Sequence, residues 1–367
     1  MKVICSKEAL LSGVNAVQRV VSKKNTQPIL EGILVKSDRQ FLQFSATDLE
    51  IGVRCEVPAE VLEEGVIVIP AKIFTEFVRK LPDTEITLEE KDRAVKISYF
   101  DSEIILNGYD PEEFPLLPDL LEPLIFTLTN DVFKMMIKKT IFACASEENR
   151  PVFNGVLMQI EEKQIKLVAT DTHRLAYICS SMTDDGKKSF SGIIPSRTLS
   201  EINRLLREED EILEIHISEN QLVFQFGSVH LVSRLIEGIF PNYKQVIPQT
   251  CETKLKLDKS CFLEMIERAS LLAQDKGGVN IVRFCVEKDE LKIDQTSESG
   301  KISEKISVEM EGNDVTVAFN ARFLIDVLRV ISSEQIVFEL SGPYSPGVMR
   351  PVDEPEYIYI VLPVRTA

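Results

Sequence analysis

The chain has 367 residues, of which 44% are hydrophobic and 27% are charged, and its formal net charge is −16. This composition is typical of a globular protein with about two or three domains, and no apolar run approaches the roughly 20 residues of a membrane helix. The apolar part of Met1 to Ser6 is too short for a secretory signal peptide, so we expect a cytoplasmic protein without a membrane segment.

The cysteine content gives no sign of a disulfide framework or a metal site. The seven cysteines are odd in number, and no two of them are spaced as CxxC. We therefore predict that all of them are small, reduced core residues in a cytosolic protein. They are Cys5, Cys55, Cys144, Cys179, Cys251, Cys261 and Cys285.

In chain order, the first third begins with an amphipathic helix over residues 6–24 and has a second helix over 71–82. Alternating and apolar runs predict strands between and after these helices. The predicted strands are 29–36, 41–45, 50–57, 66–69, 85–90, 94–99 and 103–107. Four prolines in 110–125 then favour a linker.

The rest of the chain follows the same plan. Further helices are predicted over 130–146, 196–207, 258–276 and 320–331, and a second proline-containing linker over 238–250. Each third of the chain therefore has two helices and several strands. This order predicts an α+β fold in which two helices pack on one face of an antiparallel sheet.

Internal repeats support this division. PILEGILVK at 28–36 and PVFNGVLMQ at 151–159 are 123 residues apart, and so are the two ATD triplets that begin at Ala46 and Ala169. IPAKIFTEFVRKLP at 69–82 recurs 125 residues later as IPSRTLSEINRLLR. The same apolar spacing returns in FNARFLIDVLRVI, 319–331. We predict three tandem copies of one domain, at 1–120, 121–247 and 248–367.

The charges are divided between the elements. The six predicted helices hold 18 Lys or Arg against 9 Asp or Glu, so their net charge is +9 and the rest of the chain carries −25. A surface made of helices would attract phosphate, although a solvated helix face explains the same pattern. No helix-turn-helix, zinc finger or aromatic stacking pattern occurs, so contact with DNA would go to its phosphates.

The sequence gives little support for catalysis. It lacks GxSxG, P-loop, GxGxxG and HExxH motifs, and its carboxylates are not grouped at metal-ligand spacing. Two of the three histidines, His216 and His230, lie in runs that predict strands. Asp171 and His173 leave a hydrolase open as an alternative. We expect no enzyme activity, cofactor or metal.

Four segments together resemble the bacterial DNA sliding clamp family, the β subunits of DNA polymerase III. They are ATDTHRLA at 169–176, SRLIEGIFPNYKQVIP at 233–248, FNARFLIDVL at 319–328 and YIYIVLPVRTA at 357–367. With the threefold layout, the resemblance extends over the whole chain. It implies a non-enzymatic processivity factor: a head-to-tail homodimeric ring in which six domains surround duplex DNA, with helices lining the hole and sheets outside.

The resemblance also implies partners that dock short peptides into an apolar pocket between the second and third domains. These partners are the catalytic subunit of DNA polymerase III, the clamp loader and other replication and repair proteins. Leu175, Val246, Val361 and Leu362 would form an apolar floor for a Leu or Phe of the peptide. The matching positions are Phe153, Thr170, Thr172, His173, Arg174, Leu175, Pro241, Val246, Asn320, Phe323, Tyr344, Pro346, Val361, Leu362, Pro363, Val364 and Arg365.

Two further sets of residues follow from the resemblance and the helix charges. By resemblance, Lys24, Lys72, Arg150 and Arg197 face DNA, and the helix charges add Lys23, Lys138, Lys139, Arg204 and Arg207. The ring would close by pairing an edge strand of the first domain with one of the third, which would cover both edges. The corresponding residues are Ile104 and Leu106 against Leu271 and Leu272.

Three positions depart from the family pattern. Thr172 stands where Gly is common, Gln245 where a basic residue occurs and Gly277 where an aromatic residue occurs. The chain also ends in Thr366-Ala367 instead of a terminal Leu. These departures concern the preferred peptide. An alternative from another class is a β-rich protein-binding scaffold that never touches DNA.

Overall fold

A computed structural model of the chain describes residues 1–21, 27–118, 126–146, 150–182, 189–207, 212–218, 220–248, 250–273, 280–297 and 300–365. The chain forms two compact units. The first contains Met1–Asp131 and Glu201–Leu235, and the second contains Val132–Ser200 and Ile236–Ala367.

The described residues contain six α-helices, two in each predicted copy, and each lies inside its predicted range. They are α1 (Lys7–Val17), α2 (Ala71–Lys80), α3 (Asn130–Thr140), α4 (Ser196–Leu205), α5 (Lys259–Leu272) and α6 (Ala321–Val330). All six end earlier than predicted. For α2 the reason is Pro82, because a proline disfavours helical backbone at the preceding residue, Leu81.

Side-chain caps fix where three of the helices begin. The hydroxyl of Ser6 accepts from the amide of Ala9 over 3.1 Å at the start of α1. Asp258 Oδ1 accepts from the amide of Cys261 over 2.7 Å at the start of α5. Asn320 caps α6 in the same way. These caps satisfy amides that have no partner within the helix, and the hydrogen bond from Cys261 lowers the pKa of Asp258.

Strands make up most of the rest. The first copy contains β1 (Lys2–Ser6), β2 (Gly32–Asp38), β3 (Phe41–Thr47), β4 (Ile51–Pro58), β5 (Glu60–Glu63), β6 (Gly65–Pro70), β7 (Glu85–Lys91), β8 (Ala94–Tyr99) and β9 (Ser102–Asn107). The second contains β10 (Phe126–Thr129), β11 (Gly155–Glu161), β12 (Gln164–Thr170), β13 (Arg174–Ser181), β14 (Phe190–Pro195), β15 (Ile212–Ile217), β16 (Gln221–Phe226) and β17 (Val229–Arg234). The third contains β18 (Thr253–Asp258), β19 (Ile281–Glu287), β20 (Glu290–Ser297), β21 (Gly300–Ser307), β22 (Glu309–Gly312), β23 (Val315–Asn320), β24 (Gln335–Leu340), β25 (Gly347–Pro351) and β26 (Tyr357–Val361).

The strands predicted in the first copy are present with small shifts, apart from one end. The predicted strand 29–36 starts as a short 3-10 helix, Pro28–Glu31, because the ring of Pro28 fixes φ near the helical value. Two strands were not predicted. β1 and β5 pair with each other in a five-stranded sheet, although neither is long enough to show a clear alternation.

Four antiparallel sheets are built from these strands. The first unit holds the orders β5-β1-β7-β8-β9 and β10-β15-β16-β17-β4-β3-β2-β6. The second holds β14-β11-β12-β13-β26-β25-β24-β18-β22 and β21-β20-β19-β23. Two pairings join different copies: β17 with β4, and β13 with β26. The α+β prediction is confirmed, and two of the sheets run from one copy into the next.

The helices bury their apolar sides against the sheets. In the first unit α1 packs on β3 and β4, and Gly13 allows the ring of Phe44 to approach, because a Cβ there would lie 2.2 Å from the ring. In the second unit α5 packs on α6 and on β19–β21. Phe262, Phe284, Phe319 and Phe338 form a buried cluster there, with ring centroids 5.6–6.3 Å apart.

The prediction that every cysteine lies in the core is confirmed for Cys5, Cys55 and Cys179, which are buried. All seven thiols are free, but Cys144 and Cys285 are half-buried, and Cys251 and Cys261 are exposed. Cys251 belongs to a segment between two elements, and Cys261 lies in the first turn of α5, so neither position is covered by a sheet. For a core thiol such as Cys5, burial raises the pKa to about 12, so it stays protonated.

Candidate functional site

The second ATD triplet forms a hydrogen-bonded turn between β12 and β13. Thr170 Oγ1 donates to the carbonyl oxygen of Arg174 over 2.6 Å and accepts from the amide of Thr172 over 3.1 Å. Asp171 Oδ1 accepts from the amides of His173 and Arg174 over 2.9 and 3.0 Å. The triplet therefore fixes the backbone through its own side chains.

The first copy contains the same turn between β3 and β4. Thr47 Oγ1 donates to the carbonyl oxygen of Ile51 over 2.9 Å and accepts from the amide of Leu49 over 3.0 Å. Asp48 Oδ1 accepts from the amides of Glu50 and Ile51 over 3.0 and 2.9 Å. The triplet recurs in the sequence because it makes the same turn in both copies.

The turn places the backbone of one residue, Thr172, in a strained conformation. Thr172 has φ 78° and its counterpart Leu49 has φ 77°, both in the left-handed region that favours glycine. A β-branched residue is rare there. The resemblance implies Gly at this position, and the left-handed backbone gives Thr172 a conformational cost there.

Arg174 is the centre of a polar network behind the turn. Its guanidinium donates to Asp171 Oδ2 over 3.0 Å, to Asp326 Oδ2 over 2.6 Å and to the carbonyl oxygen of Phe142 over 2.7 Å. It lies 4.5 Å from the ring centroid of Phe323. Burial opposes the charge, but Tyr359 and the two aspartates outweigh it and raise the pKa of Arg174.

The residues of the hydrolase alternative are held apart by these contacts. The Asp171 carboxylate is bonded to two backbone amides and to Arg174. The His173 ring stacks instead on Phe323, with centroids 6.4 Å apart and an interplanar angle of 22°. Asp171 therefore serves the turn and does not orient an imidazole as a catalytic base needs.

Next to the turn lies an apolar cavity of about 520 Å³ in the second unit. Ten of the predicted peptide-binding positions line it: Phe153, Thr170, Thr172, His173, Arg174, Leu175, Pro241, Val246, Pro346 and Leu362. The pairing of β13 with β26 puts Leu175 opposite Ile360. Two segments from distant parts of the sequence therefore form one floor.

Aromatic contacts hold the walls of this cavity. Tyr243 stacks on Tyr177 with ring centroids 5.7 Å apart, and its hydroxyl donates to Gln159 Oε1 over 3.0 Å. Phe153 meets Phe240 edge-on at 6.4 Å. These contacts are made by the protein's own side chains, and they shape the walls of the cavity.

A second, more polar cavity of about 990 Å³ adjoins the turn on its other side. It contains two predicted peptide-binding residues, Asn320 and Phe323, and the predicted DNA-binding residue Arg150. It also contains Cys144, whose thiol has its pKa raised to about 12 by burial and is therefore protonated. Phe153, Thr172, His173 and Arg174 contact both cavities.

The remaining predicted positions line neither cavity. The prediction of Val361 as part of the floor is wrong, because its side chain is fully buried in the sheet and Ile360 takes that place. The amide of Val364 donates to the carbonyl oxygen of Ala318 over 2.8 Å. Tyr344, Pro363 and Arg365 also lie outside both linings, and the Arg365 guanidinium lies 6.0 Å from the ring of Tyr344.

Six lining residues were not predicted as peptide-binding. They are Phe240, Asn242, Tyr243, Gln245, Pro248 and Ile360. The first five lie inside or at the end of SRLIEGIFPNYKQVIP, which the sequence marks as a unit. The alternation of Ile358 and Ile360 along β26, continued by Leu362 directly after it, would have identified Ile360, because alternate strand residues share a face.

The predicted DNA-binding residues differ in their surroundings. Lys72, Lys138, Arg150, Arg197 and Arg207 are exposed. Arg204 is largely committed to its own unit, since it donates to Glu201 and to the carbonyl oxygens of Asn15 and Ala16. Lys23 and Lys24 lie outside the described residues, as do Gly277, Thr366 and Ala367.

The prediction that Lys139 contacts DNA is wrong, because this side chain is buried. Its side chain is only 4% exposed and forms an ion pair with Glu354, 215 residues away. The ammonium also lies 5.6 Å from the ring centroid of Tyr357, whose hydroxyl donates to the carbonyl oxygen of Lys139. Lys139 therefore stabilises the second unit and cannot meet a phosphate, whereas its neighbour Lys138 can.

The predicted dimer residues lie near two sheet edges. β9, with Ile104 and the buried Leu106, is the last strand of the five-stranded sheet. Leu271 and Leu272 are at the end of α5, inside the helix predicted over 258–276, and are not themselves on an edge strand. The edge strand beside them is β21: a Cβ at its first residue, Gly300, would contact Leu272 at 3.9 Å.

Comparisons with known proteins agree with this geometry. The N-terminal, central and C-terminal domain models of the DNA polymerase III beta subunit match residues 1–118, 127–242 and 244–365. The beta sliding clamp of Halalkalibacterium halodurans is 34% identical, and that of Staphylococcus epidermidis is 30% identical, each over the full length of both chains. The sliding clamp structure from Bacillus subtilis superposes with a TM-score of 0.97 at 30% identity, and a putative beta subunit from Eubacterium rectale with 0.94 at 31%, both with full coverage of both chains.

The chain belongs to the DNA polymerase III beta subunit family, the sliding clamps. Its three clamp domains account for the repeats in the sequence. Sliding clamps are non-catalytic processivity factors of DNA polymerase. Within the described residues, no group of His, Cys, Asp and Glu could hold a metal ion. None of the helices in that part of the clamp has the length and apolar composition that a membrane crossing requires.

The strained turn predicts an unusual stabilising substitution. Thr172→Gly should raise the free energy of unfolding by about 1 kcal/mol, because the relief of strain exceeds the entropy that glycine loses on folding. Thr87→Gly, in the interior of β7, should lower it by a similar amount. Urea denaturation of both variants tests this. A loss of stability in Thr172→Gly would show that the conformation at this position carries no strain.

Proposed function

We propose that two copies of this clamp form a head-to-tail ring around duplex DNA and that the cavity beside the ATD turn receives the peptides of its partners. The proposed partners are the catalytic subunit of DNA polymerase III, the clamp loader and other replication and repair proteins, in the cytoplasm. The domain boundaries we propose are those of the repeats, 1–120, 121–247 and 248–367. The observation that carries the proposal is the apolar cavity at the turn.

The cavity is suited to an apolar side chain of a short peptide. Its floor is formed by buried residues, Leu175 and Ile360, whereas its rim holds Val246 and Leu362, which are 51% and 40% exposed. An exposed apolar rim around a pocket is typical of a protein-binding site. The Leu362 amide donates to the carbonyl oxygen of His173, and this hydrogen bond fixes the backbone of the rim.

The rim allows a matched test of peptide binding. Val246→Arg should weaken binding of a fluorescein-labelled synthetic peptide with a central Leu-Phe pair at least about tenfold, because it places a charge in an apolar site. Val352→Arg is the control, since Val352 is 44% exposed in the same unit and lies outside this cavity. Fluorescence anisotropy measures both affinities. Equal affinities in the two variants would argue against the cavity as the peptide site.

DNA contact is supported by the exposed basic side chains on the helices. Lys72, Lys138 and Arg197 are exposed on α2, α3 and α4. On the third pair of helices, Arg268 pairs with Glu264 and Glu304, and Arg329 pairs with Glu267. Contacts of this kind bind phosphate without reading bases, so they permit sliding.

Substitution of the neighbouring lysines Lys138 and Lys139 distinguishes an effect on DNA binding from an effect on stability. Lys138→Ala should reduce the salt dependence of binding to linear duplex DNA by about one phosphate contact. Lys139→Met should leave that dependence unchanged and lower the free energy of unfolding by about 2 kcal/mol, because Glu354 loses its partner. Anisotropy at several salt concentrations and urea denaturation give the two quantities. A reduced salt dependence in Lys139→Met would contradict the assignment.

Ring closure is supported by the two free sheet edges. β9 and β21 each end a sheet in the described part of the chain. Ile105 on β9 is 61% exposed, and Leu271 beside β21 is 74% exposed. Pairing β9 of one chain with β21 of another would cover both edges and these apolar side chains, as edge strands require.

The ring predicts retention by topology. After loading onto nicked circular DNA by a bacterial clamp loader with ATP, the protein should stay on the circle during gel filtration and should be lost once the circle is cut. The reason is that a ring that holds DNA by enclosure slides off free ends. Retention on the linear form would indicate ordinary site binding. No retention on either form would favour a scaffold that does not bind DNA.

A further inference from the structure

The first copy keeps the backbone frame of the peptide cavity. In the second unit the amide of Leu362 donates to the carbonyl oxygen of His173 over 2.8 Å, and in the first unit the amide of Arg234 donates to the carbonyl oxygen of Glu50 over 3.0 Å. The neighbouring strand is also equivalent, since β17 pairs with β4 as β26 pairs with β13. Together with the shared ATD turn, the first unit therefore has the same frame.

The apolar framework around this frame is also retained. Leu30 of the first copy corresponds to Phe153, and Phe114 corresponds to Phe240, by the offsets of the repeats. Leu30 and Phe114 are buried in one cluster with Ile29. The first copy therefore keeps the wall of the cavity in an apolar form.

The difference lies at the floor. The position of Leu175 is occupied in the first copy by Gly52, which faces Val232 across the strand pair. A Cβ on Gly52 would lie 2.3 Å from Cδ2 of Leu117 and 3.3 Å from its Cδ1. The end of the Leu117 side chain therefore occupies the space directly over the strand.

Leu117 is held there by its backbone as well. Arg54 Nη2 donates to the carbonyl oxygen of Leu117 over 3.3 Å. The equivalent residues of the second copy, Tyr177 and Tyr243, stack on each other at the side of the open cavity. Where the second copy has an aromatic wall and a leucine floor, the first has a glycine floor covered by its own linker.

We propose that the first unit contains a second peptide-binding site of the same architecture, which the clamp occupies with its own Leu117. Leu117 takes the place of an apolar side chain from a partner peptide and limits each chain to one open site. This inference rests on the proposed role of the cavity beside the second ATD turn. In this proposal Leu117, which belongs to the linker after the first copy, acts as an internal ligand.

Two substitutions open the site by different means. Leu117→Ala removes the side chain that covers the strand. Gly52→Ala adds a Cβ that must displace the flexible end of Leu117. Leu116→Ala is the matched control, because Leu116 is the adjacent leucine and is 92% exposed. Isothermal titration calorimetry with the Leu-Phe peptide measures the number of peptides bound by each full-length variant.

The expected number rises from one to two per chain in Leu117→Ala and Gly52→Ala, and it stays at one in Leu116→Ala. With Val246→Arg added, Leu117→Ala should retain one site, whereas Val246→Arg alone should lose its only site. An unchanged number in both opening variants overturns the inference, even if the wild type binds one peptide. A wild-type clamp that binds no peptide would instead overturn the proposed role of the cavity. Thermal melting confirms that each variant is folded.

Discussion

The pairing of β13 with β26 is the constraint on which the peptide cavity depends. It places Leu175 opposite Ile360, and so joins the turn after β12 to the end of the chain in one sheet. Backbone hydrogen bonds set this register, and a shift by one residue would turn every floor side chain to the opposite face. The Arg174 network then fixes the turn against α6 through Asp326. Backbone hydrogen bonds and the Arg174–Asp326 ion pair thus hold the apolar cavity in place.

Much of the architecture could be predicted from the sequence because the chain repeats itself. Three copies of a helix pattern gave all six helices, and the resemblance placed ten residues in the cavity lining. The error at Val361 has a simple cause. Adjacent strand residues face opposite sides, and a motif that names a whole segment does not say which side is buried. Ile360 and Val361 differ only in that phase.

Other features depend on contacts that no local pattern contains. Lys138 and Lys139 are adjacent and chemically identical, but Lys138 is exposed, whereas Lys139 is buried with an acidic partner from the far end of the chain. Lysine is rarely buried without such a partner, so sequence reasoning treated both as exposed. The contact of Leu117 with Gly52 also could not be predicted locally. It requires a residue without a side chain at position 52 and a linker that passes over that strand. Counting charges on helices therefore overstates the positive charge that is free to meet a phosphate.

The continuity of the sheets also has a mechanical consequence. The copies are joined by linkers, but β4–β17 and β13–β26 connect the same copies through hydrogen bonds along whole strands. Tension between two copies is therefore shared between a covalent bond and a row of non-covalent ones. A peptide bond broken at the exposed Lys244, within the second linker, would leave both fragments attached through β13 and β26. The connection between copies is thus redundant, and it persists when the backbone of the linker is cut.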